Sequence, residues 1–82
     1  MKITVLTPDT SVFEGEIKSV KVPGANGEFE VLNNHAPLVS ALKQGSVRLV
    51  EHSGTAKSFK ISSGFIEVLN NEIALLVQGY EA

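Results

Sequence analysis

The sequence predicts an all-β protein, folded as a sandwich or barrel of many short strands. Apolar and polar residues alternate with a period of two along most of the chain, beginning with Lys2, Ile3, Thr4 and Val5. Such alternation is typical of strands with one buried and one solvated face. Only the segment 36–44 has room for a helical turn, and we do not expect that turn to persist.

The individual strands follow from the apolar positions, taken in chain order. Each strand is centred on a pair or run of alternating apolar residues: Ile3 and Val5, Val20 and Val22, Phe29 and Val31, Val47 and Leu49, Phe59 and Ile61, and Ile73, Leu75 and Val77. Turns are predicted where Gly, Pro, Asn and Asp cluster: Thr7-Pro8-Asp9, Pro23-Gly24 with Asn26-Gly27, Gln44-Gly45, Ser53-Gly54 and Asn70-Asn71. These elements make one β-domain over residues 1–82.

Two local features depart from simple alternation. The apolar positions slip by one residue between Ile17 and Val20, which would turn side chains to the other face, so we predict a bulge or bend at Ser19. The pentapeptide Glu-Val-Leu-Asn-Asn occurs twice, at residues 30–34 and 67–71. We interpret each copy as a strand that ends in an Asn-rich turn, because Asn tolerates positive φ.

Composition limits the classes of function. The chain has 82 residues, 43% of them hydrophobic, no cysteine and a formal net charge of −2. Without cysteine, no disulfide or thiolate metal site can form. The basic residues are scattered, whereas nucleic-acid binding requires a basic stripe with stacking aromatics. No apolar run approaches the roughly 20 residues of a membrane span, and no signal-peptide core follows Met1, so we expect a cytoplasmic protein.

The acidic and histidine side chains do not form a recognisable catalytic or metal site. Glu28 and Glu30 lie on one face of a predicted strand, about 7 Å apart, a separation also found in glycosidase carboxylate pairs. No perturbing environment that would suit catalysis can be named near them in the sequence, so a solvated or partner-facing edge is the preferred interpretation. His35 and His52 have no cysteine or acid at ligand spacing, so no zinc site is predicted.

Two short motifs also lack the residues that chemistry would need. The segment 24–27 has no Gly-Lys-Ser/Thr ending with which to hold a phosphate group. Ser62-Ser63-Gly64 lacks the preceding glycine and the following helix of a nucleophile elbow. We therefore predict no catalytic residue, no metal and no cofactor.

The dipeptide Ala36-Pro37 predicts a stiff loop. The residue before proline is restricted to extended geometry, and proline itself has a fixed φ and no N–H group. The loop therefore presents His35 and Leu38 in a defined geometry. Stiff loops on β-scaffolds often bind partners, because little conformational entropy is lost on docking.

Several of these segments together resemble a known family. The matching residues are Val22-Pro23-Gly24, Gly27-Glu28, Val31-Leu32, His35-Ala36-Pro37-Leu38, Ala41-Leu42 and Gly45, followed by the segment 61–68 and the strand 73–77. In this order they are similar to the epsilon subunit of bacterial-type rotary ATP synthases. The resemblance extends over essentially the whole chain, and its central motif is quite specific.

The resemblance implies a ten-stranded β-sandwich, the N-terminal domain of the epsilon family, with no catalytic activity and no cofactor. It implies a rotor subunit at the cytoplasmic face of the bacterial cell membrane, which contacts the membrane only through the c ring. Such a subunit links the gamma subunit to the c ring and couples proton or sodium flow to ATP synthesis. By position, Glu28 matches a residue that faces the c ring, and Thr7, His35 and Ser40 match residues that lie against gamma.

The chain also departs from the family pattern. The family commonly has glycine in place of Glu30 and Pro-Gly in place of Asn33-Asn34, a turn that Asn can keep because it tolerates positive φ. Most members continue into two C-terminal helices that carry an ATPase-inhibiting arm and, in some members, a nucleotide site. Because this sequence ends at residue 82, we expect a short epsilon subunit that couples but does not inhibit through such helices.

Two other classes of function are alternatives. A free-standing β-barrel module that binds oligonucleotides or small anions would need an exposed face of aromatic and basic residues. Against this alternative, the phenylalanines mostly fall at inward positions of the predicted strands: Phe13, Phe29, Phe59 and Phe65. A hydrolase would need a cleft that pairs His35 with Glu28 or Glu30.

Overall fold

The computed structural model describes all 82 residues and contains eight strands and no helix. The strands are β1 (Lys2–Leu6), β2 (Ser11–Gly24), β3 (Gly27–Leu32), β4 (Leu38–Leu42), β5 (Gly45–Glu51), β6 (Ala56–Ile61), β7 (Ser63–Leu69) and β8 (Glu72–Gln78). The predicted all-β class is confirmed, with eight strands where about ten were expected. One reason for the lower number is that β2 runs without interruption for 14 residues. No helix is available to cross a membrane.

The strands form two layers that share β2. The first layer contains β1, β8, β7 and β4, and the second contains β3, β2, β5 and β6. All neighbouring pairs are antiparallel except β1 and β8, which are parallel. The N-terminal part of β2 pairs with β1, and its C-terminal part lies between β3 and β5. Gly24 at the end of β2 also pairs with Leu42 of β4, so the eight strands form one continuous sheet that is folded into the two layers at β2.

The predicted bulge lies where β2 passes from one layer to the other. The register between β2 and β5 shifts between Ile17 and Ser19. Ile17 and Val20 are both fully buried on either side of this shift, and Ser19 is buried as well. The extra residue lets two apolar side chains of opposite parity enter the same core.

The core lies between the layers and is built from the alternating positions. Seventeen buried apolar residues form a single cluster, to which every strand contributes. Members of the predicted apolar pairs in this cluster are Ile3, Val5, Val20, Val22, Val31, Val47, Leu49, Phe59, Ile61, Ile73, Leu75 and Val77. Phe13 and Phe29 pack against the cluster from its margin. Phe65 is the exception among the phenylalanines, because it is exposed on the outside of β7.

One sequence-based boundary was wrong, and one strand was missed. Pro23-Gly24 was predicted to be part of a turn, but both residues lie in β2, and the turn consists of Ala25 and Asn26. A Cβ atom on Gly24 would collide with the Phe29 ring and with the carbonyl oxygen of Gly27, so glycine allows the close approach of β2 and β3 here. No helical turn forms in the segment 36–44, as expected, but residues 38–42 form the strand β4, which the alternation did not predict, with Leu42 buried in the core.

The predicted role of the repeated pentapeptide is confirmed. Each copy ends a strand and enters a turn in which Asn34, Asn70 and Asn71 have φ values of 64°, 51° and 62°. The two turns lie side by side, because the backbone N–H of Asn34 donates to Oδ1 of Asn71 over 2.7 Å, and Nδ2 of Asn71 donates to Oδ1 of Asn33 over 2.9 Å. We call this end of the sandwich the asparagine end. The opposite end, which carries the Ala25-Asn26 turn, is the hairpin end.

Two neighbouring residues of β3, one buried and one exposed, allow a matched test of which side of the strand faces the core. Val31 is fully buried and its neighbour Leu32 is 54% exposed. We expect Val31→Ala to lower the free energy of unfolding by about 2 kcal/mol, because it removes buried methyl groups and leaves a cavity. Leu32→Ala, although it removes more atoms, is expected to change stability by less than about 0.5 kcal/mol. Urea titrations of both variants check this ranking, and an equal loss in the two would contradict the assigned register.

Candidate functional site

A row of apolar side chains crosses the outside of the first layer. Ala41 on β4 pairs with Phe65 on β7, which pairs with Leu76 on β8, which in turn pairs with Leu6 on β1. Phe65 and Leu76 are 58% and 47% exposed. Four neighbouring strands therefore place apolar side chains in one line on a surface that no other element of the chain covers.

A second row, one step along the strands, widens this surface. Val39 on β4 is 70% exposed, and Ala74 on β8 is partly exposed. Glu67 on β7 lies between them in register and is the acidic residue of the row. We refer to the combined surface as the outer apolar face, and it consists of Leu6, Val39, Ala41, Phe65, Ala74 and Leu76.

The outer apolar face follows from the strand patterns. In β7 and β8 the inward positions are occupied by Ile66, Val68 and Leu75, so that Phe65 and Leu76 must point outward. A contiguous exposed apolar surface with such large side chains typically marks a binding site for another protein. Beside Phe65 and Leu76 there is a groove of about 360 Å³, and Thr7 and Pro8 form part of its wall.

β7 and β8 approach each other closely beneath this surface. A Cβ atom on Gly64 would collide with the carbonyl oxygen of Leu76 and lie 3.3 Å from Val77. Glycine at this position therefore lets β7 and β8 approach directly beneath the exposed Phe65 and Leu76.

The outside of the second layer has the opposite character. It carries charged and polar side chains, namely Lys21, Glu28, Glu30, Arg48, Ser58 and Lys60. Lys21 and Glu28 form an ion pair with 3.4 Å between Nζ and Oε1. Both side chains are about half exposed, so this pair contributes little to stability. The molecule thus has one apolar and one charged outer face, separated by the core.

Thr7, His35 and Ser40 all belong to the first layer or its loops. Thr7 follows β1 at the hairpin end, where its Oγ1 accepts a hydrogen bond from the backbone N–H of Thr10 over 3.2 Å. Ser40 lies on β4 with its side chain half-buried, and its Oγ donates to the carbonyl oxygen of Ala41. His35 lies in the loop at the asparagine end. The three residues are not in one cluster. Thr7 lies beside the groove at the outer apolar face, whereas Ser40 pairs with Ile66 and has the inward parity of Leu42, opposite to Val39 and Ala41.

Glu28 is separated from these three residues. It lies near the start of β3 in the second layer, beside the Ala25-Asn26 turn at the hairpin end. His35 follows the other end of the same strand, and its Nδ1 lies 2.7 Å from the carbonyl oxygen of Ala36. The cleft that a hydrolase would need between His35 and either Glu28 or Glu30 is therefore not formed. Nor does any cluster of three or more His, Asp or Glu side chains occur that could hold a metal ion.

The loop that carries His35 is held by the asparagine contacts. Asn71 binds the backbone N–H of Asn34, and the N–H of His35 donates to the carbonyl oxygen of Leu32 over 3.1 Å. Ala36-Pro37 then leads directly into β4. The sequence predicted a stiff loop from the proline alone, and it missed the anchor in the second copy of the pentapeptide. The repeat itself was the available signal, because two identical turns can lie side by side.

The chain was compared with known proteins and protein families. Residues 1–82 match the family described as ATP synthase, Delta/Epsilon chain, beta-sandwich domain. The chain is 46% identical over 76 residues to the ATP synthase epsilon chain of Chlorobaculum tepidum, covering 93% of this chain and 86% of that one. It is 43% identical over 77 residues to the ATP synthase epsilon chain of Chlorobium limicola, covering 94% and 88% of the two chains.

A similar fold occurs in a solved structure. A chain in the cryo-EM structure of the Euglena gracilis mitochondrial ATP synthase, described as OSCP/F1/c-ring in rotational state 1, superimposes with a TM-score of 0.89. The match covers 95% of this chain and 50% of that chain, at 21% sequence identity. At that identity the likeness concerns the fold alone.

The asparagine contacts generate a second matched test. Asn70 and Asn71 both have positive φ, but only the Asn71 side chain makes hydrogen bonds to the loop before β4. Replacement of either residue by alanine adds the backbone cost of a left-handed residue, about 1 kcal/mol. We expect Asn71→Ala to lower the free energy of unfolding by about a further 1 kcal/mol, because two hydrogen bonds are lost. Thermal denaturation measures the difference, and equal losses would show that the contact does not hold the loop.

Proposed function

The chain belongs to the family of ATP synthase delta and epsilon chains, and from this premise we propose that it links the gamma subunit to the c ring in the rotor of a rotary ATP synthase. Chains of this family named epsilon are non-catalytic subunits, and this chain is one of them. The observation that carries the proposal is the presence of two unlike outer faces on one small sandwich, one apolar and one charged.

The outer apolar face is the proposed surface for gamma. Phe65 supplies a large aromatic side chain near the middle of this surface, flanked by Leu76 and Ala41. Aromatic anchors surrounded by smaller apolar contacts are typical of the residues that contribute most to protein–protein affinity. Each 100 Å² of apolar surface removed from water contributes about 2.5 kcal/mol before the costs of association. Burial against gamma would remove from water three of the six large apolar side chains that are exposed on the chain, namely Val39, Phe65 and Leu76.

Thr7, His35 and Ser40 are proposed to contact gamma around this centre. Thr7 lies beside the groove next to Phe65, and Ser40 lies on β4 next to Val39 and Ala41, with its side chain toward the other side of the strand. His35 is held at the asparagine end by the anchored loop. Polar residues at the rim of an apolar centre fix orientation and contribute less affinity than the centre itself.

Glu28 and the hairpin end are proposed to face the c ring. Glu28 is exposed and lies on the charged layer, away from the outer apolar face. Charged surfaces steer association and suppress wrong orientations more than they add affinity. An apolar contact with gamma and a polar contact with the ring would let one domain hold both rotor parts without slippage.

Within this proposal the chain transmits torque between ion flow and ATP synthesis. Its place would be the cytoplasmic face of the membrane, reached through the ring. The eighty-two residues form only the sandwich, so the proposal assigns them coupling and not inhibition by helices. An oligonucleotide-binding module has less support, because the one aromatic residue of the outer apolar face is Phe65 and the basic residues Lys21, Arg48 and Lys60 lie on the opposite layer.

The contact with gamma is tested by placing a charge at its centre. We expect Phe65→Glu to weaken binding to purified gamma by about 2–4 kcal/mol, because a carboxylate would be buried without a partner. The fold should be retained, since Phe65 is mostly exposed. Ser58→Glu, which places the same group on the second layer, is the control. Isothermal titration calorimetry measures both, and unchanged affinity in Phe65→Glu would remove the outer apolar face from the interface.

The contact with the ring is tested by charge reversal. We expect Glu28→Lys to weaken attachment of the ring to a gamma-bound chain, since the new ammonium group would stand beside Lys21 and reverse the local charge. Glu14→Lys is the matched control, because Glu14 is similarly exposed and paired with Lys2; since Glu14 lies opposite Thr4 on the outside of the first layer, gamma binding of this variant is measured first. Co-purification of the ring at two salt concentrations measures attachment. Unchanged assembly in Glu28→Lys would remove Glu28 from the interface.

A further inference from the structure

One dipeptide at the hairpin end combines an asparagine with a following glycine. Asn26 and Gly27 are both exposed, and the space around the α-carbon of Gly27 is open, with no atom within 4 Å of the position a Cβ would occupy. Asn26 takes part in none of the side-chain hydrogen bonds of the chain, in contrast to Asn33 and Asn71. From this geometry we propose that Asn26 is a site of spontaneous deamidation, a covalent modification of the hairpin tip.

The reaction needs only the chain and water. The backbone nitrogen of Gly27 attacks Cγ of Asn26, and a bond forms between these two atoms while the bond from Cγ to Nδ2 breaks. The proton of the Gly27 amide leaves with Nδ2 as ammonia, and a five-membered succinimide remains. Water then opens the ring at either carbonyl carbon, which yields aspartate or isoaspartate. No atom is oxidised or reduced.

Glycine at the second position favours the first step. The nitrogen of residue 27 must approach the side chain of Asn26, and a side chain on residue 27 would obstruct that approach. Gly27 also has φ of 133°, a conformation that other residues rarely adopt. Gly24 and Gly27 form the last pair of the β2–β3 ladder. The N–H of Ala25 donates to the carbonyl oxygen of Ala41 and holds the start of the turn, so the opening that frees the nitrogen of Gly27 is confined to this last pair of the ladder.

Three of the other four asparagines serve as internal controls. The backbone nitrogen that would attack Asn33 belongs to Asn34, and it donates to Asn71 over 2.7 Å. The nitrogen that would attack Asn34 belongs to His35 and donates to Leu32. Cyclisation at Asn70 would rotate Asn71, whose side-chain oxygen and nitrogen both make hydrogen bonds. From its net free energy, each such hydrogen bond lowers the reactive population about fivefold.

The product changes the charge and the backbone of the hairpin tip. Aspartate or isoaspartate adds a carboxylate two residues from Glu28, and isoaspartate also lengthens the backbone of the turn by one methylene group. The modification itself does not depend on the proposed function. Its consequence for the ring contact does, because the hairpin end is the surface proposed to face the ring.

The test is to incubate the purified full chain at 37 °C and mildly alkaline pH and to analyse peptides by mass spectrometry over time. We expect residue 26 to gain the mass of an NH-to-O exchange more than about tenfold faster than any other asparagine, on the basis of the hydrogen bonds that hold them. Isoaspartyl methyltransferase, with labelled methyl donor, should label the aged chain.

Asn26→Gln is the control, because its side chain would have to close a larger and less favoured ring. We expect this variant to remain unmodified and unlabelled while its circular dichroism stays that of the parent chain. A rate at Asn26 equal to that at Asn33 or Asn70 would overturn the proposal. Persistence of labelling in Asn26→Gln would overturn it as well, since the reactive site would then lie elsewhere.

Discussion

The bulge in β2 is the constraint on which the rest of the structure depends. β2 belongs to both layers and pairs with β1, β3, β4 and β5. The bulge between Ile17 and Ser19 makes this possible while apolar side chains on both sides of it stay in the core. Without the bulge, the side chains of one half of β2 would point to the opposite face of the sheet.

This arrangement also explains why the two outer faces differ. With two layers and no helix, each strand has one side toward the core and one toward solvent, and no element of the chain covers either outer face. On the second layer most outward positions are occupied by charged and polar residues, and Leu32 is an exposed apolar exception. On the first layer they are occupied by Phe65, Leu76 and Val39, whose exposure is costly in water. The asymmetry is the physical basis for assigning one face to a partner protein.

Period-two alternation was sufficient to predict the fold class and most of the core, because each strand has one buried side. The slip between Ile17 and Val20 predicted the bulge for the same reason. The outer apolar face was not predicted, since it requires knowledge of which strands are neighbours: Ala41, Phe65 and Leu76 are far apart in sequence and meet only through pairing. Strand parity alone also placed Phe65 at an inward position, whereas its side chain is exposed on the outside of β7. The contact between Asn34 and Asn71 was missed because it joins turns 37 residues apart.

Hydroxyl-radical footprinting of the chain, free and in complex with gamma, tests directly whether the outer apolar face binds gamma. Phe65 and Leu76 on the first layer, and Leu32 on the second, have comparable exposure in the free chain. If the outer apolar face binds gamma, oxidation of Phe65 and Leu76 should fall strongly in the complex while that of Leu32 is unchanged. If oxidation of Leu32 falls in the complex while Phe65 is still oxidised, the outer apolar face does not bind gamma, and the partner lies on the opposite layer.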